Sequence, residues 1–404
     1  MRILLLAPHP FFQPRGTPIA EKMLLEILTA HGHEVDVLTF HEGEDLDIPG
    51  CRIDRIPRLP LKGVRPGFSA KKLACDAAML WKTLRKVRRE RYDLVHAVEE
   101  SAFMALLARK LFGIPYVYDM DSGLAQQMTE RFPLLRRLFE AFEKRAVRGS
   151  AGTLAVCGSL EAQARAWHPG GLVGRLEDVS LLGASDPEKD ALADLHPPEW
   201  KERPIVLYVG NLQACQGIGL LLAAFARASR EVPEARLLFV GGAPEDVSRY
   251  RGVCRGLGVE ESVHFAGPRP VGLLGACCAR ATVLVSPRIQ GTNTPMKVYS
   301  YLDTGRALLA TRLPTHTQVL TDEIALLADP SAEAMARGLV RLLQDEVLRE
   351  RLATNAKTFA RRELTLEAYE GKLLRFYDAI EKKIGGGSGH GEIARLEARR
   401  QGHR

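Results

Sequence analysis

The feature of this sequence that most constrains its fold is an alternation, present in both halves of the chain, of short apolar runs with longer stretches of helical periodicity. Such runs, typical of buried strands, occur in the first half at residues 2–8, 34–40, 51–57, 94–98, 115–120 and 153–157. The second half has them at residues 204–210, 236–242, 263–267, 282–287, 308–312 and 324–329. Strands separated by helices pair in parallel, because the helix returns the chain to the same end of the sheet. The sequence therefore predicts an α/β protein with two doubly wound domains.

A segment near the middle of the chain separates the two predicted domains. Residues 183–203 are rich in Asp, Glu and Pro, and their prolines would interrupt helical hydrogen bonding. This composition is typical of a domain junction, with a hinge near Trp200. We therefore predict a first domain over residues 1–195 and a second over residues 196–362.

The end of the chain has two kinds of sequence. Leu366, Tyr369 and Phe376 fall on one helical face, so residues 363–384 are predicted to form an amphipathic helix that packs on one of the domains. Residues 385–404 begin with a glycine-rich linker and contain no aromatic residue, which predicts a flexible tail.

The composition excludes several classes of protein. With 46% hydrophobic and 26% charged residues, the chain is neither disordered nor fibrous. No apolar run reaches the roughly 18 residues of a membrane-spanning helix, and Pro8 and Pro10 interrupt the apolar start before a signal-peptide core could form. The 7 cysteines show no metal-binding spacing, so all of them, including adjacent Cys277 and Cys278, are predicted to be reduced and packed. We expect a cytoplasmic protein without a metal site.

The net charge of +7 indicates an anionic partner, either nucleic acid, a membrane surface or a phosphorylated small molecule. Two stretches, residues 62–91 and 131–148, combine many basic residues with an apolar stripe. We interpret the stripes as packing on the sheet, and the charges as a possible contact with an anionic membrane. Nucleic acid is disfavoured, because no aromatic residues are interleaved with the arginines. The stripe of the first stretch consists of Leu73, Ala77, Leu80, Leu84 and Val87.

Ligands of open α/β sheets bind at the carboxyl ends of the strands, so two facing domains predict a cleft that holds the chemistry. The most informative loop follows the strand predicted at 282–287. Thr294 is predicted as the N-cap of the next helix and Pro295 as its first helical residue. The free N–H groups of such a helix would bind a diphosphate, and Lys297 and Arg288 would each add a positive charge. The alternative is an ordinary capped helix with a solvated lysine.

Other loops at the same predicted edges contain glycines that would let the backbone approach a ligand. Gly210 and Asn211 follow the first strand of the second domain, and Gly242 follows the next strand. In the first domain, Arg15 and Gly16 lie in a proline-rich loop that replaces the GxGxxG turn, which argues against a dinucleotide-dependent dehydrogenase. The Arg15 guanidinium is predicted either to contact a phosphate or to be solvated.

Acidic residues also stand at the predicted strand ends of the first domain. Asp119 and Asp121 could orient a ligand or take its proton, or could only cap the following turn. His96, on a buried strand, is predicted either as a residue of this ligand site or as a satisfied core histidine.

Several motifs, in this order along the chain, resemble those of the family-4 retaining glycosyltransferases of the GT-B fold, and the resemblance extends over residues 2–383. Its strongest part lies in the second half. The residues that carry it are Tyr208-Val209-Gly210-Asn211-Leu212 with Gln216-Gly217, Phe239-Val240-Gly241-Gly242, Val263-His264-Phe265-Ala266-Gly267, and Thr294-Pro295-Met296-Lys297 on to Gly305 and Ala310-Thr311.

The resemblance implies two Rossmann-like domains, the second binding a UDP- or GDP-sugar and the first binding the acceptor, with the C-terminal helix crossing back to the first domain. The implied donor-side contacts include Asn293 and the hydroxyls of Thr292 and Ser300, which stand where the family has a glutamate pair. Asn211 and Gln216 stand where the family has the Arg and Lys that neutralise the leaving diphosphate.

In the first domain, which the resemblance assigns to the acceptor, Asp121 stands where the family has a histidine, and Asp119 and His96 would lie on the same acceptor side. Independently of the resemblance, His316 follows the strand predicted at 308–312 and could line the donor site. Since the two usual cations are absent, Lys297, Arg288 and Arg15 are the candidates to replace them.

The function that these observations predict is a metal-independent glycosyltransferase. It would move a sugar from the donor to an acceptor hydroxyl with retention of configuration, in the synthesis of an envelope glycolipid or polysaccharide. Two alternatives stay open: a sugar-nucleotide epimerase of the same fold, and a non-catalytic nucleotide-sugar-binding or scaffold protein.

Overall fold

A computed structural model of the chain describes residues 1–13, 16–64, 69–125, 133–182 and 195–401. It contains two compact units. The first comprises residues 1–177 together with the chain from Tyr369 onward, and the second comprises residues 178–368. The first unit therefore ends earlier than the predicted boundary at residue 195, because the chain leaves it directly after the last strand of its sheet.

The first unit is built on a seven-stranded parallel sheet with the order β3-β2-β1-β4-β5-β6-β7. Its strands are β1 (Arg2–Ala7), β2 (Glu34–Thr39), β3 (Cys51–Arg55), β4 (Leu94–Val98), β5 (Tyr116–Met120), β6 (Gly152–Ala155) and β7 (Val173–Arg175). Between them lie the helices α1 (Gly16–Ala30), α2 (Ala70–Arg89), α3 (Ser101–Phe112), α4 (Arg136–Gly149) and α5 (Gly158–Trp167).

The second unit has a six-stranded parallel sheet with the order β10-β9-β8-β11-β12-β13. Its strands are β8 (Ile205–Val209), β9 (Arg236–Val240), β10 (Val263–Phe265), β11 (Val283–Ser286), β12 (Ala307–Thr311) and β13 (Leu326–Ala328). Its helices are α6 (Ile218–Glu231), α7 (Pro244–Leu257), α8 (Leu274–Ala279), α9 (Met296–Asp303), α10 (Pro314–Thr317), α11 (Ala332–Gln344) and α12 (Glu346–Glu363).

These two sheets confirm the predicted α/β class with two doubly wound units. The central strands of both sheets are buried on both faces, as parallel sheets covered by helices require. In β1, for example, Leu4 and Leu6 belong to one core cluster, and Ile3 and Leu5 are equally buried but belong to the other face. This is why the strands read as continuous apolar runs. The strand β7 was not predicted, because its three residues include a glycine and an arginine.

The last helix, α13 (Leu366–Gln401), packs on the sheet of the first unit. Phe376 and Ile380 come so close to Gly152 that a Cβ there would lie 2.8 Å from each side chain, and Gly174 is equally close to Phe376. These two glycines therefore let the helix approach the strands. The helix continues past the predicted end at residue 384, and the backbone of residues 385–401, predicted as a flexible tail, is helical.

The two basic stretches do not bury the faces that the sequence predicts. On α2 the buried positions are Cys75, Met79, Thr83 and Lys86. Leu80, Leu84 and Val87 only border this core, and Leu73 is 49% exposed. Lys86 can be buried on this face because its ammonium is paired with Asp54 of β3 at 3.3 Å, as well as with Glu90 at 3.0 Å.

The second stretch departs further from the expectation. Leu135, Leu138 and Phe142, at and in helix α4, are 43%, 49% and 47% exposed. Glu143 is buried in their place, where it accepts hydrogen bonds from the backbone amides of Leu124 and Ala125 at 3.1 and 2.9 Å. The apolar side of α4 is therefore partly open to solvent.

Two further predictions concern thiols and membrane spans. Cys277 and Cys278 are free thiols that pack in the core of the second unit, and burial raises the pKa of Cys278 to about 12. None of the described helices is both long and apolar enough to cross a membrane.

Candidate functional site

Three loops of the second unit meet at the carboxyl ends of β8, β9 and β11. Gly217 has φ +73°, and a Cβ on it would lie 1.9 Å from the carbonyl oxygen of Pro287. Gly241 has φ +113°, and its Cβ would lie 2.3 Å from the carbonyl oxygen of Gly210. A side chain is excluded at both positions by sterics and by backbone conformation. The glycines predicted to allow close approach therefore first let these loops pack on one another.

Lys297, in the first turn of α9, extends its side chain into this group of loops. Its Nζ lies 3.6 Å from the centre of the Tyr208 ring and 3.0 Å from where a Cβ of Gly210 would be. The ammonium is shielded from solvent and has no hydrogen-bond partner among the described residues. A buried ammonium whose only close partner is an aromatic face is poorly compensated, so an anion that entered the site would be strongly attracted.

The Tyr208 ring under this lysine is fixed by its own hydrogen bonds. Its hydroxyl donates to the carbonyl of Asn211 at 2.6 Å, and Oε1 of Gln216 lies 3.5 Å away. The next residue, Val209, donates its backbone N–H to the hydroxyl of Tyr301 at 2.7 Å. Asn211 and Gln216, predicted as ligand contacts, thus help to fix the Tyr208 ring that the Lys297 ammonium contacts.

A second cation, Arg288, follows β11 and is also partly buried. Its Nε donates to the carbonyl of Gln290 at 2.6 Å, and its Nη2 donates to Oδ1 of Asn293 at 3.1 Å. Burial lowers the pKa of Arg288. Burial also holds the pKa of Lys297 well below its usual value, and the nearby Arg288 charge adds to this effect. Within the described residues neither cation forms a salt bridge, so this edge of the sheet carries uncompensated positive charge.

The start of α9 differs from the prediction. Pro295, not Thr294, is the N-cap, and the helix begins at Met296. Thr294 does not cap the helix, because its hydroxyl accepts a hydrogen bond from Nε2 of Gln318 at 3.0 Å. The same amide also donates to the carbonyl of Thr292 at 3.0 Å. Gln318, which the sequence analysis did not single out, therefore fixes the loop in front of the helix.

Two other predicted donor-side residues are buried. Ser300 is fully buried, and its Oγ accepts the backbone N–H of Leu181 at 2.9 Å, so this hydroxyl is already used inside the unit. His316 is also fully buried: Nδ1–H donates to the carbonyl of Thr311 at 2.9 Å, and Nε2 accepts from the hydroxyl of Ser286 at 2.8 Å. Burial lowers the pKa of His316 to about 4. Both residues therefore support the loops and do not line an open surface.

The remaining glycines predicted on the donor side are Gly242 and Gly16, and Gly16 begins a helix where the sequence predicted a loop. Gly242 follows β9 in the left-handed region, with φ +88°. Gly16 has φ +34° and is the first residue of α1, in the first unit. Arg15, predicted as a phosphate contact, lies outside the described residues.

In the first unit, the structure connects two of the predicted residues directly. Oδ2 of Asp119, the fourth residue of β5, lies 3.1 Å from Nε2 of His96 on the neighbouring strand β4. His96 is fully buried, and its Nδ1 lies 2.7 Å from the hydroxyl of Tyr377 on α13. Asp121, one residue beyond the end of β5, is partly exposed.

A second polar pair in this unit was not predicted. Nε2 of His9, after β1, lies 3.0 Å from Oε2 of Glu21 on α1. Glu21 is 3% exposed, its Oε1 has no partner among the described residues, and burial raises its pKa. The signal available in the sequence was a lone glutamate among the apolar positions of an amphipathic helix.

Together the two sheet edges offer different chemistry. The second unit presents two buried cations and a helix start, which suits a diphosphate. The first unit presents carboxylates and histidines, which suit a ligand with several hydroxyl groups. Within the described residues there is no cluster of His, Cys, Asp and Glu that could hold a metal ion.

Comparisons with known proteins agree with this division into two units. Residues 20–171 match the family described as "Glycosyl transferase 4-like domain", and residues 203–345 match "Glycosyl transferases group 1". Among curated relatives, an alpha-D-kanosaminyltransferase of Streptomyces kanamyceticus is 26% identical over 81% of this chain and 88% of its own length. A phosphatidyl-myo-inositol mannosyltransferase of Mycobacterium tuberculosis is 24% identical over 94% of this chain and 97% of its own.

Solved structures show the same fold. A sucrose-phosphate synthase from Thermosynechococcus elongatus superposes with a TM-score of 0.78 at 23% identity, covering 93% of this chain and 98% of its own. The Anabaena protein HepE, crystallised with UDP-glucose, has a TM-score of 0.72 at 17% identity, covering 94% of this chain and 100% of its own. The chain therefore belongs to the group 1 glycosyltransferases of the GT-B fold.

Proposed function

We propose that this glycosyltransferase moves a sugar, with retention of anomeric configuration, from a UDP- or GDP-sugar to a hydroxyl group of an envelope glycolipid or polysaccharide precursor. The observation that carries the donor half of this proposal is the buried Lys297 ammonium, for which the described part of the chain supplies no hydrogen-bond partner. A nucleotide-diphosphate sugar supplies the missing anion and a leaving group that needs neutralisation.

The leaving diphosphate would be held by groups that the second unit has in place. Lys297 and Arg288 supply positive charge, and the first N–H groups of α9 supply donors without an intrahelical partner. Such groups stabilise the charge that develops on the leaving phosphate as the sugar–phosphate bond breaks. These groups would take the place of the family's Arg and Lys, whose positions hold the neutral residues Asn211 and Gln216 in this chain. The proposed reaction therefore uses no metal ion.

The remaining predicted contacts divide by their burial. Asn293 and Thr292 lie in the loop before α9 and are only partly buried, so their polar groups are proposed to contact the donor. Ser300 is left out of this set because its hydroxyl bonds to Leu181.

The acceptor half of the proposal rests on the first unit. Asp119 and Asp121 are the carboxylates at the end of β5, and either could accept a hydrogen bond from the attacking hydroxyl. His96 acts from within the core by orienting Asp119. Relatives support this class of acceptor, since one is a phosphatidyl-myo-inositol mannosyltransferase.

The experiment that tests the proposal has two steps. A thermal-shift screen of UDP-, GDP- and ADP-sugars identifies the donor, because a ligand that binds only the folded state raises the unfolding temperature. The selected donor is then incubated with the protein and a membrane extract, and release of nucleoside diphosphate and labelled product are followed.

The outcomes separate the candidate functions. Transfer of label to the extract supports the glycosyltransferase. Interconversion of the donor without extract would indicate an epimerase, and binding without any turnover would indicate a nucleotide-sugar-binding protein. No shift with any sugar nucleotide would contradict the proposal.

We also infer contact with an anionic membrane surface, since the acceptor class includes lipids. Helix α4 exposes Leu138 and Phe142 beside basic Arg137, Lys144 and Arg145, a combination suited to anionic headgroups. The test is sedimentation with vesicles of anionic and of zwitterionic lipid at low and high salt. Leu138→Glu should reduce binding to anionic vesicles, and absence of binding at low salt would refute the inference.

A further inference from the structure

A chain of three side chains connects the terminal helix of the first unit to the end of β5. The hydroxyl of Tyr377 lies 2.7 Å from Nδ1 of His96, and Nε2 of His96 lies 3.1 Å from Oδ2 of Asp119. Tyr377 and His96 are 1% and 0% exposed, whereas the Asp119 side chain is 15% exposed. The chain therefore runs from the core of the unit to a carboxylate that a ligand can reach.

The position of this chain follows from the alternation of side chains along the strands. In β4, Val95 and Ala97 belong to the core on one face of the sheet, so His96 faces the other side. Helix α13 covers that side, because Gly152 and Gly174 allow Phe376 to approach the strands. The next residue of the helix, Tyr377, is thereby placed against the imidazole.

The hydrogen-bonding capacity of each group fixes the direction of the bonds. An ionised carboxylate only accepts, so Nε2 of His96 must carry a proton and donate it to Asp119. In a neutral imidazole Nδ1 then has a lone pair, and Tyr377 must be the donor to it. The Asp119 carboxylate thus selects the tautomer of His96. The Tyr377 hydroxyl donates to the Nδ1 lone pair that this tautomer leaves, and so fixes the orientation of the ring. A bond to Oδ1 of Asp119 is not found among the described residues, so this oxygen is free to accept from a ligand.

We propose that Tyr377 is a positioning residue for the transfer reaction: by its hydrogen bond to Nδ1 it fixes the orientation of the His96 ring, which holds Oδ2 of Asp119, so that Oδ1 accepts a hydrogen bond from the attacking hydroxyl of the acceptor. This inference rests on the proposed function and adds to it a role for the terminal helix. In many active sites a histidine with a hydrogen bond at each ring nitrogen links a buried group to a side chain at the reaction site. The buried group thereby orients the side chain that contacts the substrate.

The test compares three substitutions in the full chain. Tyr377→Phe removes only the donor to His96. His96→Gln keeps an amide that can donate to Asp119, and His96→Leu cannot donate. Tyr116→Phe is the matched control, because it removes another buried tyrosine hydroxyl of this unit, one that donates to the carbonyl of Ala146 at 2.5 Å.

The first readout is turnover with the donor found by thermal shift and with the membrane extract as acceptor. We expect Tyr377→Phe to lower kcat about three- to tenfold and to leave the KM of the donor unchanged, since one neutral hydrogen bond is lost on the acceptor side. His96→Leu should lower kcat about 10- to 100-fold, with partial recovery in His96→Gln. Tyr116→Phe should turn over like the unsubstituted protein.

The second readout does not depend on activity. In protein labelled with ¹⁵N-histidine, the ring nitrogen signals of His96, assigned by their loss in His96→Gln, should show a proton on Nε2. In Tyr377→Phe the proton should stay on Nε2 and the Nδ1 signal should shift, because the hydrogen bond to Nδ1 is lost, and in Tyr116→Phe both signals should be unchanged.

Each result either supports or overturns the inference. Equal turnover of Tyr377→Phe and Tyr116→Phe would overturn it while leaving the proposed function intact, and so would a proton on Nδ1 in the unsubstituted protein. Absence of transfer by the unsubstituted protein would instead refute the proposed function, and this inference with it. Should Tyr377→Phe unfold, the comparison of His96→Gln with His96→Leu decides, and equal activity of these two would overturn the role of the donated hydrogen bond.

Discussion

The two units have similar parallel sheets, but their carboxyl edges are organised in opposite ways. In the first unit the polar groups bind one another: Asp119 is held by His96, and His96 by Tyr377. In the second unit Lys297 and Arg288 are close enough to repel, and the Lys297 ammonium has no hydrogen-bond partner among the described residues. The chain of Asp119, His96 and Tyr377 is paired before any ligand arrives, whereas the Lys297 ammonium is not paired with any described residue.

This difference indicates what each edge is suited to bind. Uncompensated cations attract a ligand that brings its own charge, and a diphosphate would compensate them. An ordered carboxylate attracts a neutral ligand, because its remaining oxygen can accept from a hydroxyl group without another ion. The comparison therefore predicts that charge substitutions affect the donor in the second unit and the acceptor in the first.

The largest effect is expected from Lys297→Met. This substitution should lower kcat/KM about 10²–10³-fold, the loss seen when one preorganised stabilising group is removed from a transition-state site. The free energy of unfolding should not fall, because a poorly compensated buried charge is removed. Steady-state kinetics and denaturant titration measure both. Lys201→Met, at an exposed position, serves as the control. Unchanged turnover in Lys297→Met would contradict the role of the second unit's cations in binding the diphosphate.

The next prediction concerns His316, which is buried beneath the loops at the carboxyl edge of the second unit and forms hydrogen bonds with Thr311 and Ser286. Its pKa is lowered from 6.5 to about 4 by burial, so the folded state holds the neutral form. Its contribution to stability is complete above the unfolded pKa near 6.5 and is lost as the pH falls toward 4. The total is about 3 kcal/mol.

Denaturant titrations at pH 7 and pH 4.5 should show this loss in the unsubstituted protein. The loss should be clearly smaller in His316→Asn, which cannot take up the proton. An equal loss in both proteins would show that His316 is not held neutral, and the second edge would then resemble the first.

A smaller effect is expected from Asp119→Asn, which keeps an oxygen that can accept from His96 but removes the charge. Turnover should fall about 10- to 100-fold, since a hydrogen bond to a charged group is worth about 1.5–3 kcal/mol. The donor-induced thermal shift should be unchanged. Asp121→Asn, on the next residue but one, is the matched comparison, and a larger loss there would assign the acceptor contact to Asp121.

The smallest effect is expected from removal of divalent metal ions. If Lys297 and Arg288 neutralise the diphosphate, EDTA should change the rate less than about twofold, because no metal is needed at the leaving group. The assay compares initial rates with EDTA and with added Mg²⁺. A rate that depends on Mg²⁺ would show that the two cations are not sufficient.

Much of the fold could be predicted because the evidence for it is local. A buried parallel strand is a short apolar run, and runs such as that in β8 or β12 are visible without any knowledge of their neighbours. Strand β7 could not be seen in this way, because it is short and lies at the sheet edge. The faces of α2 and α4 were also misjudged, since ion pairs and backbone contacts of Lys86 and Glu143 decide which side is buried.

The candidate site was predicted only in outline. The order of the loops along the chain indicated Lys297 and Arg288 as the cations of the site. The prediction that Thr294 caps the helix was wrong, because Gln318, 24 residues later, donates a hydrogen bond to its hydroxyl. Ser300 could not be recognised as buried, since its partner Leu181 lies 119 residues earlier.

What the sequence by itself determined is the type and order of the elements, and hence which residues stand at the ends of strands, because these depend on patterns within a few residues. What only the tertiary structure decided is which of those residues are satisfied. Tyr377 meets His96 across 281 residues, and Lys297 meets the ring of Tyr208 across three α-helices and three strands of chain. Burial and pairing of polar groups depend on such distant partners, and they set the charge that each edge offers to a ligand.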